Sequence, residues 1–316
     1  MHMVLNFFEN EPLAKYTAWR IGGPARFFAN AATAEALRTA RGWAQNRGLA
    51  LFVLGGGTNL LVRDNGFDGL VVRLRDQSLR VEAGGDDAVA RVGAGAPMAG
   101  TARRLAGMGW AGLEWAEGLP GTIGGAVFGN AGCYGGDIAK ALRRAWLLAG
   151  DTIEEWPAAR FAYGYRTSAL KRTKSEELLT KNDGADASAP FFFHPSSSVA
   201  PIVLEAEFGL RRADPRALAE QMQHTAAERK RKTPVGSSCG SVFKNPPGDS
   251  AGRLIEAAGL KGTRIGNAEI ATRHANYIVN LGGASSDDVL KLIELARERV
   301  LREFGIALTL EVEILG

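Results

Sequence analysis

Apolar and polar positions along the chain repeat with two different periods, which predicts a mixed chain of helices and strands. Thr33 precedes a segment of helical periodicity that runs from 34 to about 47 and ends at Gly48, so we expect a capped helix there. The apolar run Leu49–Leu54 predicts a buried strand that leads directly into a glycine triplet. Further elements predicted in the first half are strands at 60–62, 70–74 and 89–92 and a helix at 98–108.

The middle of the chain is predicted to separate two domains. The segment 161–171 mixes aromatic and basic residues, which by itself is typical of a β edge with a solvated arginine. The polar, acidic segment 174–195 predicts a surface loop or a partly disordered insertion. The alternating segment 202–210 is then the strand that closes a first domain, and 216–232 is a helix that leads into a second.

A long amphipathic helix and a strand are predicted to end the chain, after a short helix at 253–260 and a strand at 274–280. Ser286 is predicted to cap the long helix, and Gly305 to end it. The apolar stripe of that helix comprises Val289, Ile293, Ala296, Val300 and Phe304. The alternation in 308–315 predicts the terminal strand, on which Glu311 faces away from the apolar side.

Composition and charge exclude several classes of function. The 316 residues are 46% hydrophobic and 23% charged, as in ordinary globular proteins. Lys and Arg number 38 against 34 Asp and Glu, and this net charge of +4 is too small and too scattered for a nucleic-acid-binding surface. The densest basic run, 229–232, ends a predicted helix, where solvated cations complement the helix dipole.

Two cysteines and four histidines limit the possible chemistry further. Cys133 and Cys239 are too few for a disulfide framework, which favours a reducing compartment. The histidines lack metal-ligand spacing, so we predict no metal site. The sequence shows no signal-peptide pattern and no apolar run of the roughly 20 residues that a membrane span needs. We therefore expect a cytoplasmic protein that binds neither membranes nor nucleic acid.

Glycine is enriched, with 40 residues that recur in pairs and triplets inside otherwise ordered sequence. Repeated close approach of the backbone to a large ligand would explain this pattern. Gly55-Gly56-Gly57-Thr58-Asn59 follows a strand, as a phosphate-binding loop does. It lacks the third glycine of a dinucleotide fingerprint and the lysine of a P-loop, and a tight structural turn explains it about as well.

A second cluster combines small residues, hydroxyls and a lysine in Gly236-Ser237-Ser238-Cys239-Gly240-Ser241-Val242-Phe243-Lys244-Asn245-Pro246-Pro247. A polar surface loop is one interpretation. The other is an active-site loop that presents the Ser241 hydroxyl and the Lys244 ammonium to an anionic substrate. Cys239 is predicted to be a small buried residue and not a nucleophile.

Six short blocks of sequence carry a family resemblance over nearly the whole chain. They are Trp19-Arg20-Ile21-Gly22-Gly23-Pro24-Ala25, Gly55-Gly56-Gly57-Thr58-Asn59-Leu60-Leu61, Gly118-Leu119-Pro120-Gly121-Thr122-Ile123-Gly124-Gly125-Ala126, Tyr165-Arg166-Thr167-Ser168, Gly240-Ser241-Val242-Phe243-Lys244-Asn245-Pro246 and Leu310-Glu311-Val312-Glu313-Ile314-Leu315-Gly316. In this order they resemble the UDP-N-acetylenolpyruvoylglucosamine reductases, known as MurB. Because the sequence has no C-terminal extension after the last block, we expect the shorter subtype of that family.

The resemblance implies an α+β fold. An FAD-binding domain of the vanillyl-alcohol-oxidase (PCMH) type comes first, and a smaller α/β substrate-binding domain follows. The expected bounds are 1–210 for the FAD-binding domain, with subdomains at about 1–75 and 76–210, then 211–305 for the substrate-binding domain. Residues 306–316 are the terminal strand that carries Glu311 back to the active site. The segment 172–200 is longer than the shorter subtype usually has, and either a substrate-covering loop or a passive insertion would fit it.

The implied reaction is NADPH-dependent reduction of the enolpyruvyl group of a UDP-sugar, with FAD as cofactor and UDP-N-acetylmuramate as product. By resemblance, Ser241 donates a proton to the substrate α-carbon, Arg166 binds the substrate carboxylate, and Glu311 stabilises the enol intermediate. A carboxyl that faces a carboxylate should have a raised pKa, so Glu311 is expected to act as the neutral acid.

The resemblance also implies ligand contacts. The FAD contacts are expected at Gly55, Gly56, Gly57, Thr58, Asn59, Gly121, Thr122, Gly125, Asn130, Ala131 and Gly132. The substrate contacts are expected at Tyr134, Lys244, Asn245 and His274. For three of these another interpretation is open, because Lys244 fits a solvated lysine, Asn245 a turn cap and Tyr134 a packed aromatic side chain.

Two other functions stay open on the sequence. An FAD-dependent sugar or lactone oxidoreductase of the same fold would share the glycine blocks, but it would not need Ser241, Arg166 and Glu311 together. A UDP-sugar or nucleotide-binding module would need no flavin. The expected partners are the UDP-sugar and NADPH, the expected state is a monomer, and the residue that binds the UDP is not identified.

Overall fold

The computed structural model describes residues 5–172, 192–193 and 200–316. Over these residues the helices are α1 (Ala34–Gln45), α2 (Met98–Gly107), α3 (Ile123–Gly129), α4 (Ile138–Ala141), α5 (Pro215–Lys232), α6 (Ala251–Ala257) and α7 (Ser286–Phe304), with a further helical turn from 169. Most of the segment 172–200, including most of the predicted surface loop at 174–195, lies outside the described residues.

Strands make up most of the remaining regular structure. In chain order they are β1 (Phe7–Pro12), β2 (Pro24–Ala31), β3 (Ala50–Leu54), β4 (Leu60–Val62), β5 (Phe67–Leu74), β6 (Leu79–Gly84), β7 (Asp87–Gly93), β8 (Trp110–Ala111), β9 (Gly132–Cys133), β10 (Gly136–Asp137), β11 (Leu142–Ala149), β12 (Thr152–Pro157), β13 (Phe192–Phe193), β14 (Ile202–Arg212), β15 (Arg264–Ile265), β16 (Ala268–Ile270), β17 (Ile278–Asn280) and β18 (Glu313–Leu315). Short 3-10 helices occupy Leu13–Tyr16, Glu114–Ala116 and Ala158–Phe161.

The first sheet has the strand order β1-β2-β5-β3 and packs against α1. Strands β2 and β3 run parallel to β5, whereas β1 pairs with β2 in the antiparallel direction. Thr33 caps α1 as predicted, since its hydroxyl accepts a 3.1 Å hydrogen bond from the Ala36 amide. The apolar side of α1 then packs through Leu37 on Leu70 and Val72 of β5.

The second sheet has the order β12-β11-β14-β7-β6, and the short strand β8 also pairs with β14. Every pairing in this sheet is antiparallel, and the long strand β14 lies at its centre. Helices α2 and α3 pack against it, because Leu105 and Val127 share one buried cluster with Phe208. The sheet and the two helices form the support for one side of the cavity described below.

The third sheet joins the two ends of the chain, in the order β13-β18-β4 with parallel pairing. Glu313 pairs with Leu60, and Leu315 pairs with Val62. The regular strand β18 is shorter than the predicted 308–315, although Leu310 forms an isolated bridge outside it. Since β4 begins directly after the glycine triplet and Asn59, this pairing places the C-terminal residues beside the glycine loop.

The C-terminal part contains the antiparallel sheet β15-β16-β17 with α6 and α7. Four residues of the predicted stripe on α7 are buried, namely Val289, Ile293, Ala296 and Val300. Phe304 is the exception, with 37% of its surface exposed, because the last turn of α7 extends beyond the core. Gly305 ends the helix as predicted, with a φ of 69°.

The start of α7 differs from the prediction, because Ser285 and not Ser286 is the cap. The Ser285 hydroxyl accepts a 3.0 Å hydrogen bond from the Asp288 amide, and the Asp288 carboxylate accepts a 3.1 Å hydrogen bond from the Ser285 amide. Ser286 instead donates its hydroxyl to Asp64 at 2.9 Å, which ties α7 to the turn after β4. A long-range contact with Asp64 therefore decides which of two adjacent serines caps the helix.

Trp19 connects the N-terminal part to the C-terminal part. Its side chain is completely buried, and its indole Nε1 donates a 2.7 Å hydrogen bond to the Ile278 carbonyl on β17. Asn280 returns a 2.8 Å hydrogen bond from its side-chain amide to the Trp19 carbonyl. The main-chain amide of Asn280 donates a second hydrogen bond, of 2.9 Å, to the Ser237 carbonyl. This chain of contacts fixes the start of the 236–247 loop against the N-terminal part.

The described part of the chain holds neither a membrane-spanning helix nor a cluster of metal-ligating side chains. No helix there is both long and apolar enough to cross a membrane. Within the same residues, no group of three or more His, Cys, Asp or Glu side chains is arranged to hold a metal ion.

Candidate active site

A cavity of about 750 Å³ opens between the glycine loops, the second sheet and the C-terminal part. Ser241, Arg166 and Glu311, which the resemblance assigns to catalysis, all line it. The predicted cofactor residues that line it are Gly55, Gly56, Gly57, Thr58, Asn59, Gly121, Thr122, Gly125 and Ala131. The structure therefore brings together residues from the start, the middle and the end of the chain.

Two glycine segments meet along one side of the cavity. A Cβ atom at Gly56 would lie 2.8 Å from the Gly121 Cα, so the two backbones approach too closely for a side chain there. Gly57 has a φ of +61°, and a Cβ atom on it would lie 1.9 Å from the Tyr16 carbonyl oxygen. Only glycine fits this position. Where the two glycine segments meet, the cavity is therefore lined by main chain and not by side chains.

The Thr122 hydroxyl lies at the same edge. Its Oγ1 is buried and has no hydrogen-bond partner among the described residues, and a Cβ atom at Gly55 would lie 2.7 Å from it. A buried polar group without a partner costs about 1–3 kcal/mol, which a ligand that completes the hydrogen bond recovers. Bare main chain beside an unpartnered hydroxyl fits a cofactor that carries phosphate, such as FAD.

Two predicted cofactor residues lie away from the cavity wall. Asn130 ends α3 with a φ of 49°, and its side chain bonds to the Gly164 carbonyl at 2.9 Å and the Ala139 amide at 3.0 Å. Gly132 pairs with Asp137 in the β9-β10 hairpin. Both residues hold the chain that supports the wall, and neither lines the cavity in the described part of the structure.

Arg166 lies in a tight turn. Gly164 and Thr167 exchange main-chain hydrogen bonds of 3.1 and 3.2 Å across this turn, and Arg166 has a φ of 54°. The interpretation of 161–171 as a β edge with a solvated arginine was therefore wrong. The residues around Arg166 carry no strong turn signal, because a left-handed arginine is uncommon and tertiary contacts have to stabilise it.

One such contact comes from Ser168, whose hydroxyl donates a 2.6 Å hydrogen bond to the Phe128 carbonyl at the end of α3. Held in this way, Arg166 forms an ion pair with Glu311 on the cavity wall. Arg166 Nε lies 3.0 Å from Glu311 Oε1, and the two side chains are 27% and 15% exposed. Nε has no hydrogen-bond partner among the described residues, so the contact is a charge pair without an aligned hydrogen bond.

The Glu311 carboxyl is largely buried. Burial raises its pKa, against the opposing effects of the positive charges on Arg166, Lys171 and Lys244. The net direction is upward, so the neutral acid form persists to a higher pH than it would for an exposed glutamate. That Glu311 acts as a neutral hydrogen-bond donor stays a prediction.

Ser241 is positioned by the chain on either side of it. Gly240 precedes it with a φ of 78°, which lets the loop turn onto the cavity wall. Val242 follows it, and the Val242 amide donates a 2.9 Å hydrogen bond to the Asn276 carbonyl. The Val242 carbonyl accepts a 2.8 Å hydrogen bond from the Glu311 amide. The loop that carries Ser241 is thus bonded directly to the segment that carries Glu311.

The four predicted substrate contacts are not among the residues that line the cavity. Lys244 is half-buried, and burial, together with the nearby charge of Lys171, lowers its pKa, so it is not a freely solvated lysine. Asn245 accepts a 3.1 Å hydrogen bond from the Ala251 amide at the start of α6, which matches its interpretation as a cap. Tyr134 is 43% exposed and does not pack into a core.

His274 is likewise placed outside the cavity wall. The segment 274–277 forms a turn, and only β17 remains of the strand predicted at 274–280. The His274 Nδ1 accepts a 3.2 Å hydrogen bond from the Asn276 amide, and burial lowers the pKa of the imidazole. In this position His274 stabilises the turn at 274–277, whose Asn276 carbonyl accepts the hydrogen bond from the Val242 amide.

Sequence reasoning missed Lys171 and Glu313, which both line the cavity. Their Nζ and Oε1 atoms lie 3.4 Å apart, and the side chains are only 18% and 22% exposed. Glu313 stands two residues after Glu311 in an alternating segment, so its side chain could have been placed on the same side from the sequence. Lys171 gave no such signal, because its partner is distant along the chain.

Arg229 was also missed, because the run 229–232 was interpreted as solvated. That interpretation was wrong for Arg229. It lines the cavity, its Nε is buried without a hydrogen-bond partner among the described residues, and an Nη donates to Cys133 Sγ at 3.2 Å. Helical spacing could have revealed this, since Arg229 continues the stripe of buried residues Leu218, Met222 and Thr225 on α5.

Cys239 is buried, as predicted, with 7% of its surface exposed. Its Sγ lies 3.4 Å from the Leu60 carbonyl oxygen, and burial raises the pKa of the thiol to about 12. A thiol that stays protonated at neutral pH is a poor nucleophile. Cys239 therefore packs between the Ser241 loop and β4.

Known proteins that are similar to this chain match it over nearly its full length. The family described as UDP-N-acetylenolpyruvoylglucosamine reductase, C-terminal domain, matches residues 230–315, and an FAD binding domain matches residues 25–148. UDP-N-acetylenolpyruvoylglucosamine reductase of Chloroflexus aggregans is 54% identical over 307 residues, which are 97% of this chain and 96% of that protein. The reductase of Chloroflexus aurantiacus is 52% identical over 312 residues, 98% of each chain.

The chain belongs to the UDP-N-acetylenolpyruvoylglucosamine reductase family. The crystal structure of the family member MurB from Thermus caldophilus covers 99% of this chain and 100% of its own, with 32% identity and a TM-score of 0.77. A likeness of fold extends to 6-hydroxy-D-nicotine oxidase from Arthrobacter nicotinovorans, which covers 97% of this chain and 88% of its own, with 14% identity and a TM-score of 0.51. The predicted α+β fold, with its FAD-binding domain and MurB C-terminal domain, is confirmed. The boundaries at 210 and 305 stay predictions.

Proposed function

We propose that this chain catalyses the NADPH-dependent reduction of the enolpyruvyl group of UDP-N-acetylenolpyruvoylglucosamine to UDP-N-acetylmuramate, a precursor of peptidoglycan. One observation carries this function. Ser241, Arg166 and Glu311, from three separate parts of the chain, line a single cavity whose other wall is built from glycine loops. A sugar or lactone oxidase of the same fold would have no use for this combination.

FAD is the cofactor that the cavity is suited to hold. Gly56, Gly57 and Thr122 offer main chain and an unpartnered hydroxyl to its diphosphate. The chemistry that FAD would supply there is hydride transfer, from NADPH to the β-carbon of the enolpyruvyl group. The side chains of the protein then have to orient the substrate, stabilise charge and provide a proton.

Arg166 and Glu311 act on the substrate carboxylate. Addition of a hydride at the β-carbon places negative charge on the α-carbon and its carboxylate, and preorganised groups stabilise such charge by about 3 kcal/mol each. The Arg166 guanidinium supplies a positive charge at this point. Burial raises the pKa of Glu311, and in its protonated form the Glu311 carboxyl would donate a hydrogen bond to the same region.

Ser241 provides the proton. Its Oγ–H bond breaks as a C–H bond forms at the α-carbon, and the serine oxygen is then reprotonated from solvent that enters the cavity. Serine is a weak acid, so this transfer depends on the high basicity of the carbanionic carbon. The Gly240 turn and the Val242 hydrogen bonds keep the hydroxyl at the wall.

Arg229 is the residue that we assign to the diphosphate of the substrate. Its guanidinium lines the cavity on the side of α5, and its buried Nε has no partner in the described part of the chain. The Cys133 thiol holds one Nη at 3.2 Å, which orients the remaining donors. Planar guanidinium groups with several donors are well suited to phosphate.

The test of this function uses the purified protein under anaerobic conditions. A yellow protein with flavin absorption bands is expected, and NADPH should bleach it. Addition of the enolpyruvyl UDP-sugar should then restore the absorption, whereas the UDP-sugar without the enolpyruvyl group should not. Absence of flavin from the purified protein would contradict both the reductase and the oxidase hypotheses. Reoxidation of the flavin by oxygen but not by the enolpyruvyl UDP-sugar would favour the oxidase. A cytoplasmic location and a monomeric state stay predictions.

A further inference from the structure

The turn that carries Arg166 is bonded to the end of α3 on both of its sides. Before the turn, the Tyr163 hydroxyl donates a 3.0 Å hydrogen bond to the Val127 carbonyl. After the turn, the Ser168 hydroxyl donates a 2.6 Å hydrogen bond to the Phe128 carbonyl. Both carbonyls belong to the last turn of α3, where main-chain oxygens have no partner within a helix. The two hydroxyls therefore serve as partners for carbonyls at the helix end.

A third bond comes from Asn130, the residue that ends α3. Its side-chain amide donates a 2.9 Å hydrogen bond to the Gly164 carbonyl, and its side-chain oxygen accepts a 3.0 Å hydrogen bond from the Ala139 amide. Gly164 and Thr167 are the two residues whose main-chain hydrogen bonds close the turn. The turn is thus held at one of its closing residues, as well as by a hydroxyl on either side.

The Arg166 side chain depends on this support. Its φ of 54° is left-handed, a conformation that arginine adopts rarely unless contacts hold it. The guanidinium has a charge partner in Glu311, whose Oε1 lies 3.0 Å from Arg166 Nε, but Nε has no aligned hydrogen-bond partner among the described residues. The direction of the side chain therefore follows from the main-chain conformation of the turn.

The helix that anchors the turn also borders the cavity. Five of its seven residues line the wall, namely Gly124, Gly125, Ala126, Phe128 and Gly129. Directly before α3 stands Thr122, whose unpartnered hydroxyl we assign to FAD. Arg166 is therefore fixed against the same helix that lies beside the place of the cofactor.

We propose that Ser168, Tyr163 and Asn130 are positioning residues for the reaction: their side chains fasten the Arg166 turn to the end of α3 and so hold the Arg166 guanidinium where the substrate carboxylate binds. This inference rests on the reductase function proposed above. None of the three residues lines the cavity, and each acts through Arg166. This role accounts for the side-chain bonds of Asn130, which lies away from the cavity wall.

The two half-reactions of the enzyme separate positioning from general damage. In Ser168→Ala one anchor is lost, so return of the flavin absorption, after NADPH-reduced enzyme is mixed with the enolpyruvyl UDP-sugar, should be about tenfold slower. Reduction by NADPH places no charge on an enolpyruvyl carboxylate, so its rate and the flavin content per protein should match the wild type. Tyr163→Phe should show the same pattern, and it keeps the aromatic ring that stacks on Phe161 with centroids 5.2 Å apart.

A double-variant cycle shows whether the effect passes through Arg166. Arg166→Ala removes the guanidinium that the anchors position, so the addition of Ser168→Ala to it should slow the return by less than about twofold. The matched control is Thr101→Val, which removes another buried hydroxyl. Thr101 is 3% exposed, and its Oγ1 donates a 2.9 Å hydrogen bond to the Pro97 carbonyl at the start of α2. This control should leave both half-reactions unchanged.

A readout that needs no turnover uses the FAD-loaded enzyme with 15N-labelled arginine. The Arg166 Nε resonance is the one that is missing from Arg166→Lys. In the wild type this atom is buried beside Glu311, so its resonance should be distinct from those of exposed arginines. In Ser168→Ala and in Tyr163→Phe it should move toward the exposed group.

Failure of the positioning role and failure of the function give different results. If the wild type does not recover its absorption with the enolpyruvyl sugar, the reductase function is wrong, and the Arg166 resonance alone then decides whether the anchors place Arg166. With an active wild type, three results each overturn the positioning role. They are wild-type rates of return in both variants, a slowing by Ser168→Ala that is as large in the Arg166→Ala background, and an Arg166 resonance that neither variant moves. Should Ser168→Ala not fold, Tyr163→Phe takes its place in the same measurements.

Discussion

The side-chain amide of Asn59 donates a 2.9 Å hydrogen bond to the main-chain carbonyl of Glu311, across 252 positions of sequence. Asn59 ends the glycine loop that we assign to FAD, and Glu311 is the acid that we assign to the substrate. The Glu313 amide completes the link with a 3.0 Å hydrogen bond back to the Asn59 carbonyl. One residue therefore couples the cofactor side of the cavity to the placement of the acid.

Loss of this link should impair catalysis more than it impairs folding. Asn59→Ala removes one hydrogen bond, which is worth about 1 kcal/mol, and leaves the main chain of the glycine loop in place. We expect kcat to fall about tenfold because one of the hydrogen bonds that fix the Glu311 main chain is lost. The measurement is kcat together with the flavin absorbance per protein, with the exposed residue Asn46→Ala as control. A wild-type kcat in Asn59→Ala would contradict the coupling.

Glu311 should show the pH dependence of a neutral acid. Because its active form is protonated, kcat should fall as pH rises through its pKa, which burial places above the ordinary glutamate value. Glu311→Gln cannot ionise, so it should lose this alkaline limb while it retains a hydrogen-bond donor. Glu311→Ala should lose about 100-fold in kcat at pH values below this limb, where the wild-type carboxyl is protonated. A limb that persists in Glu311→Gln would assign the titration to another group.

Gly57 should tolerate no side chain. A Cβ atom on it would meet the Tyr16 carbonyl oxygen at 1.9 Å, and its φ of +61° already strains any other residue. Gly57→Ala should lower the free energy of unfolding by about 3 kcal/mol or more and reduce flavin binding. Gly85→Ala is the matched control, since Gly85 has a φ of +71° with nothing within 4 Å of its Cβ position. The measurement is the free energy of unfolding from denaturant titration. If both variants lost the same free energy, the contact with Tyr16 would not contribute to the effect.

Helix boundaries and site motifs could be predicted from the sequence because their signals are local. Thr33 caps α1, and Gly305 ends α7, as their residue types indicate. The motifs around Ser241, Arg166 and Glu311 identified three residues that line one cavity. Nothing in their spacing along the chain indicates that these three residues share a site. Only the family resemblance predicted that they do.

The remaining parts depend on contacts between distant residues. Ser286 could not be distinguished from Ser285 without Asp64, and the turn at Arg166 needs support from α3. The pairing of Lys171 with Glu313 joins two segments that no local pattern relates. Asn130 has the sequence context of a cofactor contact, yet it uses both ends of its side chain to hold neighbouring main chain.

Arg229 should affect substrate binding more than chemistry. If it binds the diphosphate, Arg229→Ala should raise KM for the UDP-sugar about tenfold, which corresponds to the loss of one charge-assisted hydrogen bond, with kcat nearly unchanged. Arg231→Ala is the control, because Arg231 lies two residues further on α5, is 69% exposed and pairs with Glu228. A fall in kcat with an unchanged KM in Arg229→Ala would remove it from the diphosphate site.

The central claim is that Ser241 supplies the proton for reduction of the enolpyruvyl group. Its most direct test is a single-turnover experiment on Ser241→Ala, in which the enzyme is first reduced anaerobically with NADPH and then mixed with the enolpyruvyl UDP-sugar. We predict that reduction by NADPH proceeds as in the wild type, whereas return of the flavin absorption is about 1,000-fold slower. Return of the absorption at the wild-type rate would contradict the assignment of Ser241 as the proton donor.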